Sequence, residues 1–416
     1  MTMPSKTTPT EALVCGLRVV WRRFRLAGAT FTMMLLTIGL AACGSSHPPS
    51  RDSGSTDKFN AHVEQRLLHV VSVVREHYHV PGMAVAVTVP GEGSWVGAYG
   101  FADTSTKQAL NTNDKFRIAS ITKTFTATAI LQLVQQGKLS LSAPINRWVP
   151  KVQSSKTITV RMLLNMTSGI YDEGAPGSRL AKRSVFDPSK VWTPQEIVNL
   201  AIAHGPAGPP GRFEYSDTNY VILGVIAQAL SGKPIQSLID SQILRPLHLA
   251  NTSYPTTPTM PAPATTGYLI SADQSISAPP IDPSVFGPAG AMISTLGDLQ
   301  TWAKALATGT LLPPALQRQR QPSLAAAIFP PLPGTDVSAG LPAKYGLGVF
   351  SLGGLLGHNG GYPGWTSDMF YLPARKATVV VLLNAFDPSF QISDAAAVSL
   401  AQIVLPESVS TTPVGK

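Results

Sequence analysis

The chain has 416 residues, 44% of them hydrophobic and 13% charged, which excludes a disordered polymer and allows one large core. Its formal charge is +9, but Lys6, Arg18, Arg22, Arg23 and Arg25 against Glu11 put +4 of it in the first 42 residues. The remaining +5 comes from 27 basic and 22 acidic residues, with no Lys/Arg run dense enough for a nucleic-acid footprint, so no nucleic acid is expected as a partner.

The first elements are a targeting segment and a spacer. A basic start, an apolar run from Leu26 to Leu40, and Leu40-Ala41-Ala42-Cys43 ahead of Gly44-Ser45-Ser46 form the sequence of a signal. The run is short of the roughly 20 apolar residues that span a membrane. The Leu-Ala-Ala-Cys ending resembles the bacterial lipoprotein signal. That resemblance implies removal of residues 1–42, lipidation of Cys43, and a body held at the outer face of the cytoplasmic membrane. Cys15 falls in the removed part, so no disulfide is expected. Residues 43–57, rich in Ser, Pro, Gly and Asp, read as a flexible tether.

The folded part is expected over residues 58–405, with 406–416 as a tail. Phe59, Val63, Leu67, Val70 and Val74 have helical spacing up to Pro81-Gly82. His69, His77 and His79 make no good metal face on that helix, and no metal or other cofactor is expected. Met83–Val89 and Ser94–Gly100, around Gly91-Glu92-Gly93, read as a hairpin. Next comes Phe116-Arg117-Ile118-Ala119-Ser120-Ile121-Thr122-Lys123. Ile121, Phe125, Ala129 and Leu133 then recur every four residues up to Gly137, a buried helix of about four turns. Residues three apart share a helix face, so Ser120 Oγ and Lys123 Nζ can meet near its positive end. A buried ammonium must be paired or lose its proton, and a neutral lysine beside a hydroxyl could take the hydroxyl's proton. The spacing by itself is weak: Ser55-Thr56-Asp57-Lys58 has the same form in a polar stretch.

Helical patterns dominate from about 120 to 310. Thr159–Gly169 reads as a helix ending in Thr167-Ser168-Gly169, and Thr193-Pro194-Gln195-Glu196 opens another. Pro209-Pro210-Gly211 turns the chain into Tyr215-Ser216-Asp217 ahead of the apolar helix Val221–Leu230. Residues 255–284 and 311–343, rich in Pro, Ala, Ser and Thr, read as loops or lids. Strands return at Tyr345–Phe350, around Gly357-His358-Asn359-Gly360-Gly361, at Ser367–Tyr371 and at Thr378–Leu383. Ser393-Asp394 then reads as the cap of a last helix, Ala395–Leu405. Strands at both ends with helices between give the expected class: α+β, one antiparallel sheet flanked by helices, with a helical domain inserted at about 120–310.

In order, Ser120-x-x-Lys123, Tyr215-Ser216-Asp217 and His358-Asn359-Gly360 resemble the serine β-lactamase-related family: class C β-lactamases, DD-peptidases, and related esterases and D-amino-acid peptidases. Phe116–Ala119, Leu163-Leu164, Thr167-Ser168-Gly169, Pro210-Gly211, Ser294-Thr295 with Asp298, and Tyr345-Gly346-Leu347-Gly348 extend the likeness over roughly residues 80 to 385. The resemblance implies a β-lactamase/transpeptidase-like fold, with Ser120 as nucleophile, Lys123 as its proton partner and Tyr215 as shuttle to the leaving group. It implies an oxyanion hole from the backbone N–H groups of Ser120 and Gly361. Asp217, His358, Asn359 and Gly360 are then substrate-binding positions, with His358 beside Tyr215.

Three residues depart from the family pattern. Asp217 stands where penicillin-recognising members have asparagine, His358 where class C β-lactamases have lysine, and Met166 where a histidine is common. The first two changes favour esters or D-amino-acid peptides over β-lactams, so the chain is expected to be a lipid-anchored hydrolase acting through an acyl-enzyme on a small-molecule or peptide substrate. A β-lactamase or DD-carboxypeptidase, and a non-catalytic peptidoglycan-peptide binding module, are the alternatives.

Overall fold

The computed structural model describes residues 58–270, 274–329, 341–386 and 391–406. Cys43, the signal, the tether, and all of the tail beyond Pro406 lie outside the described residues.

Helix α1 (Ala61–His77) starts at Asn60, whose side chain accepts the Val63 N–H, and turns Leu67, Val71 and Val74 inward. Strands β1 (Gly82–Val89) and β2 (Gly93–Asp103) pair antiparallel as the expected hairpin. The short β3 (Gln108–Ala109) and β4 (Phe116–Arg117) follow. Helix α2 (Thr122–Gln135) follows a 3-10 turn at Ala119–Ile121, and 11 of its 14 residues are buried. It is therefore packed on all sides rather than laid on a surface. Its interior threonines satisfy their hydroxyls locally or across a contact: Thr124 Oγ1 donates to the Ile121 carbonyl and Thr126 Oγ1 to that of Pro288.

The helical part continues with α3 (Val160–Leu164), α4 (Arg179–Phe186), α5 (Pro194–His204), α6 (Asp217–Ser231) and α7 (Ile235–Ile239). Helix α5 has the capping box that its Thr-x-x-Glu start predicts. Helix α3 ends at Leu164, sooner than its sequence suggests. Thr167-Ser168-Gly169 leaves it as a loop: Ser168 Oγ donates to Asn219 Oδ1 on α6, and a side chain at Gly169 would collide with the Gly208 carbonyl.

Within 255–284 and 311–343, the described stretches form regular elements that their composition does not suggest. They hold β5 (Tyr268–Ile270) and β6 (Ser275–Ser277). After β7 (Ile293–Ser294) and α8 (Leu296–Thr308) come α9 (Pro314–Arg320), β8 (Leu324–Phe329) and β9 (Leu341–Tyr345). β5 pairs with β6 and with Ala385–Phe386 far along the chain, and β8 pairs with β9, so cross-strand bonds supply the order, which composition does not report. The last elements are β10 (Phe350–Leu352), β11 (Leu355–Tyr362), β12 (Trp365–Leu372), β13 (Ala377–Leu383), β14 (Ala385–Phe386) and α10 (Gln391–Val404). Helix α10 begins at Gln391, so Ser393 and Asp394 lie inside it rather than capping it.

The main sheet has nine antiparallel strands in the order β3-β2-β1-β13-β12-β11-β10-β9-β8. It joins strands from both ends of the folded chain around the helical stretch, as expected. β12 and β13 are buried along their whole length, because helices cover both faces. On one face α8 locks to α2, where Trp302 stacks on Phe125 and donates its indole N–H to Thr124 Oγ1. Helix α10 packs against β13, β12 and α1 on the other. Among the described residues no single helix is long and apolar enough to cross a membrane.

Candidate active site

The nucleophile turn is held from three sides. β4 pairs with β7, and the Ile118 N–H donates to the Met292 carbonyl at 3.0 Å. Ser367 Oγ on β12 donates to the Ile118 carbonyl at 3.0 Å. Gly360 on β11 lies directly beneath: a Cβ there would come to 2.8 Å from Ser120 N and 2.6 Å from the Ile118 carbonyl oxygen. The glycine of the His-x-Gly motif is therefore required by the approach of β11 to the turn. Ala119 takes the left-handed conformation, φ +46°. Such a backbone costs a non-glycine residue about 1–3 kcal/mol, and it persists here because its neighbours over-determine it.

Lys123 Nζ, fully buried, lies 2.8 Å from Ser120 Oγ, 2.9 Å from the Ala289 carbonyl and 2.6 Å from Asp217 Oδ1. Three acceptors match the three hydrogens of an ammonium. Of the two outcomes left open for a buried lysine, pairing or loss of the proton, the geometry supplies the partner for the first in Asp217. Tyr215 reaches the same oxygen: its hydroxyl donates to Ser120 Oγ at 3.1 Å. Burial first, and then the charge of Asp217, hold the Tyr215 phenol far above its ordinary range, so it rests as a neutral phenol.

The loop carrying Tyr215 is pinned from the Met166 side. Glu214 N–H donates to the Met166 carbonyl, and Gly211 N–H to that of Thr167. Met166, in the left-handed region at φ +63°, accepts at its sulfur from Ser216 N–H (3.4 Å) and Asn219 Nδ2 (3.6 Å). A thioether thus serves as a buried acceptor at this position.

Asp217 opens α6, where the helix dipole favours an acid. Its backbone N–H donates to Asp172 Oδ1 at 2.9 Å, as does Gly174 N–H. A Cβ on Gly174 would sit 2.0 Å from Asp217 Oδ2, so this glycine makes room for the carboxylate. The Asp172 carboxyl is pushed up to about 8, by burial and then by Asp217. Asp172, Gly174 and the Ala289 carbonyl were not among the sequence candidates. Their only signal was nearness to the Thr-Ser-Gly stretch or to residues that the fold brings in from afar.

His358 stands 6.5 Å from the Tyr215 ring, but neither ring nitrogen faces a substrate. Nδ1, 2.6 Å from the Asn359 carbonyl, carries the hydrogen because a carbonyl only accepts. Nε2 then accepts from the Tyr345 hydroxyl at 3.0 Å. Burial, and then Lys123, push the imidazole down to about 3. It is neutral near pH 7 and braces Tyr345, the tyrosine of the Tyr-Gly-Leu-Gly motif. Asn359 departs further from expectation. Its side chain points to the opposite face of the sheet, where Nδ2 donates to both Asp394 oxygens at 3.1 Å. Strand alternation separates it from the site that its neighbours Gly360 and Gly361 border. β10 pairs only with Leu355–Gly357, so from His358 onward that edge of β11 turns to the nucleophile turn instead. Ser120, Lys123, Tyr215, Asp217 and Gly360 are brought together, with Gly361 next in the strand.

The sequence pattern of the Beta-lactamase family matches residues 60–403. The chain is 28% identical over 318 residues to Protein flp of Staphylococcus aureus (strain NCTC 8325 / PS 47), covering 74% of this chain and 60% of that protein. It therefore spans about three fifths of the length of that curated relative. Among solved structures, the D-amino acid amidase of Ochrobactrum anthropi SV3 complexed with L-phenylalanine is 28% identical with a TM-score of 0.70, over 83% of this chain and 100% of that one. A D-stereospecific amidohydrolase from Streptomyces sp. is 28% identical with a TM-score of 0.69, over 83% and 98%. With the family pattern spanning most of the chain and the Ser-Lys-Tyr cluster assembled inside the matching fold, this protein belongs to the beta-lactamase family.

Proposed function

We propose that this chain is a serine hydrolase that cleaves small amides, peptides and esters through an acyl-enzyme on Ser120. The observation that carries this reading is the convergence of Lys123 Nζ and the Tyr215 hydroxyl on Ser120 Oγ, at 2.8 and 3.1 Å. Similarity to the amidase and the amidohydrolase supports amides as a substrate class.

The proton route follows from the charges. Lys123, paired with Asp217 and 2.8 Å from Ser120 Oγ, stabilises negative charge developing on that oxygen. Tyr215 relays: its oxygen accepts the serine proton as its own hydrogen passes to the leaving nitrogen or oxygen. No free phenolate forms, in keeping with the raised phenol. The substrate carbonyl oxygen becomes an oxyanion facing the N–H groups of Ser120 and Gly361. Water then reverses the steps and frees the acid.

Asp217 sets the preference among substrates. A carboxylate cannot donate a hydrogen bond to a peptide or β-lactam carbonyl, and it repels a substrate carboxylate. Ester turnover should exceed β-lactam turnover by orders of magnitude, and Asp217→Asn should narrow that gap. Steady-state rates on a nitrophenyl ester, a D-amino-acid amide, a D-Ala-D-Ala peptide and a chromogenic β-lactam test both points. Rapid β-lactam turnover by the wild type, or an unchanged ratio in Asp217→Asn, would remove the aspartate from specificity.

The N-terminal sequence supports a place for this chemistry outside the cytoplasmic membrane, with Cys43 as lipid anchor. One acyl chain gives only marginal membrane binding, so multiple acylation is part of the proposal. Metabolic labelling with a fatty-acid analogue should be lost in Cys43→Ser, and a mature N-terminus mapped elsewhere would defeat the assignment.

A further inference from the structure

The strand that leads into Ser120 carries a buried cation that the proposed chemistry does not use. Arg117, three residues before Ser120 on β4, is 2% exposed. Its guanidinium carbon lies 4.7 Å from the centre of the Tyr362 ring and 5.8 Å from that of Trp365. Nη2 donates to the Pro258 carbonyl at 2.6 Å, and Nη1 is buried with no hydrogen-bond partner among the described residues. The carboxylate that acts on Arg117 is Asp282, whose Oδ1 accepts from the Ser284 N–H and hydroxyl. Among the described residues no ion pair joins the two. The charge is therefore held by two aromatic rings and one carbonyl, contacts that strengthen when water is excluded.

The two rings close the end of the β11–β12 hairpin, where Tyr362 and Trp365 are the last cross-strand pair. Each ring is itself fixed. The Tyr362 hydroxyl donates to the Ile281 carbonyl at 2.8 Å, and its ring lies 5.0 Å from that of Phe286. The Trp365 indole N–H donates to Thr265 Oγ1 at 2.9 Å, and that hydroxyl donates to the carbonyl of Lys115, two residues before Arg117. Tyr362 directly follows Gly361. β4 belongs with β7 to a separate two-stranded sheet, so no backbone ladder ties it to the hairpin. Besides the close approach of Gly360, two side chains make that tie: Ser367 Oγ at the Ile118 carbonyl, and the Arg117 guanidinium at Tyr362 and Trp365.

We propose that Arg117 is a positioning residue that sets the separation of the Ser120 and Gly361 N–H groups, by clamping the end of the β11–β12 hairpin to the strand that leads into Ser120. The inference rests on the proposed reading of those two groups as the oxyanion site. Two donors stabilise a developing charge together only when both reach the same oxygen. A hairpin end free to drift takes the Gly361 N–H off that oxygen and leaves the rest of the substrate contacts in place. The loss then falls on kcat rather than on KM.

The residue type fits the task. A guanidinium is planar and weakly hydrated, so it lies against ring faces and still donates at its edge to the Pro258 carbonyl. A lysine ammonium keeps the charge but is a compact, strongly hydrated point that cannot cover two rings. Methionine fills a similar length of apolar space with no charge and no donor.

Kinetics of the full-length protein on a nitrophenyl ester, per site titrated with a fluorophosphonate, test the clamp. Arg117→Met should lower kcat about 10-fold or more, with KM within about threefold. It should weaken a phenylboronate, whose tetrahedral serine adduct carries an oxygen where the oxyanion forms, by the same factor as kcat/KM. Tyr362→Leu removes a ring from the guanidinium but leaves the Pro258 bond, so it should match Arg117→Met unless Arg117 serves only to staple residues near 258. The double variant should lose no more than the larger single loss, because one contact is then removed twice. Tyr362→Phe keeps the ring and should stay within about threefold of wild type, and Arg117→Lys should fall between wild type and Arg117→Met. Apart from activity, hydrogen–deuterium exchange over residues 360–366 should be about 10-fold faster or more in Arg117→Met and Tyr362→Leu, with the β1–β2 hairpin unchanged as a check on folding. If Arg117→Met fails that check, Arg117→Lys replaces it in the double variant. Losses that multiply in the double variant, a Tyr362→Phe as impaired as Tyr362→Leu, or full protection of 360–366 in the Arg117 variants overturns the proposal. If the exchange results hold while the wild type shows no turnover, the clamp stands and the hydrolase reading fails.

Discussion

Replacing Ser120 with alanine should abolish turnover, lowering kcat/KM by roughly 10⁵-fold or more. The alanine protein should also escape labelling by a fluorophosphonate that marks the wild type within residues 116–123. The size of the loss follows from the arrangement, since Lys123 and Tyr215 both act on Oγ and neither has another oxygen to activate. Fold should be preserved. Ser120 is half-buried, and its turn is held by Ile118, Ser367 and the β4–β7 pair rather than by its own hydroxyl. Intact mass with peptide mapping reads the adduct, and labelling that survives in Ser120→Ala would place the nucleophile elsewhere.

Tyr215→Phe should divide substrates by leaving group. An amide nitrogen must be protonated as it departs, and removing the relay should cost about 10²- to 10⁴-fold in kcat on an amino-acid amide. A nitrophenolate departs without a proton, so on a nitrophenyl ester the same variant loses only the acceptor of the serine proton, which Tyr215 passes to water in the wild type, and the loss should be at least about 10-fold smaller than on the amide. The substitution removes only the hydroxyl, so the ring keeps the edge contact that Tyr215 makes with Tyr345, 6.3 Å between centroids. Equal losses on amide and ester would show that Tyr215 acts on Ser120 alone, with Lys123 or water protonating the leaving group.

The order of the chemistry was legible in the chain. Ser120, Lys123, Tyr215 and Asp217 stand in a pattern whose local setting, the start of a buried helix and a Pro-Gly turn ahead of another helix, says where each must lie. The hairpin, the long helices and the alternation of the last strands also follow from periodicity, because burying one face or all faces leaves a regular mark. Residues 255–284 and 311–343 left no such mark. Their strands are short, and most of their order comes from cross-strand bonds that no local periodicity announces.

Within the site, sequence names the residue types and tertiary structure decides their charge and direction. Nothing local tells whether Lys123 is neutral or paired. That depends on Asp217 arriving at 2.6 Å from a helix much later in the chain. His358 and Asn359 adjoin the essential Gly360, yet strand alternation sends one to Tyr345 and the other through the sheet to Asp394. Asp172 carries no motif at all. Its importance arises from lying beside Asp217 with its carboxyl pushed up by burial, an energy that exists only once the chain has folded and removed the water between them.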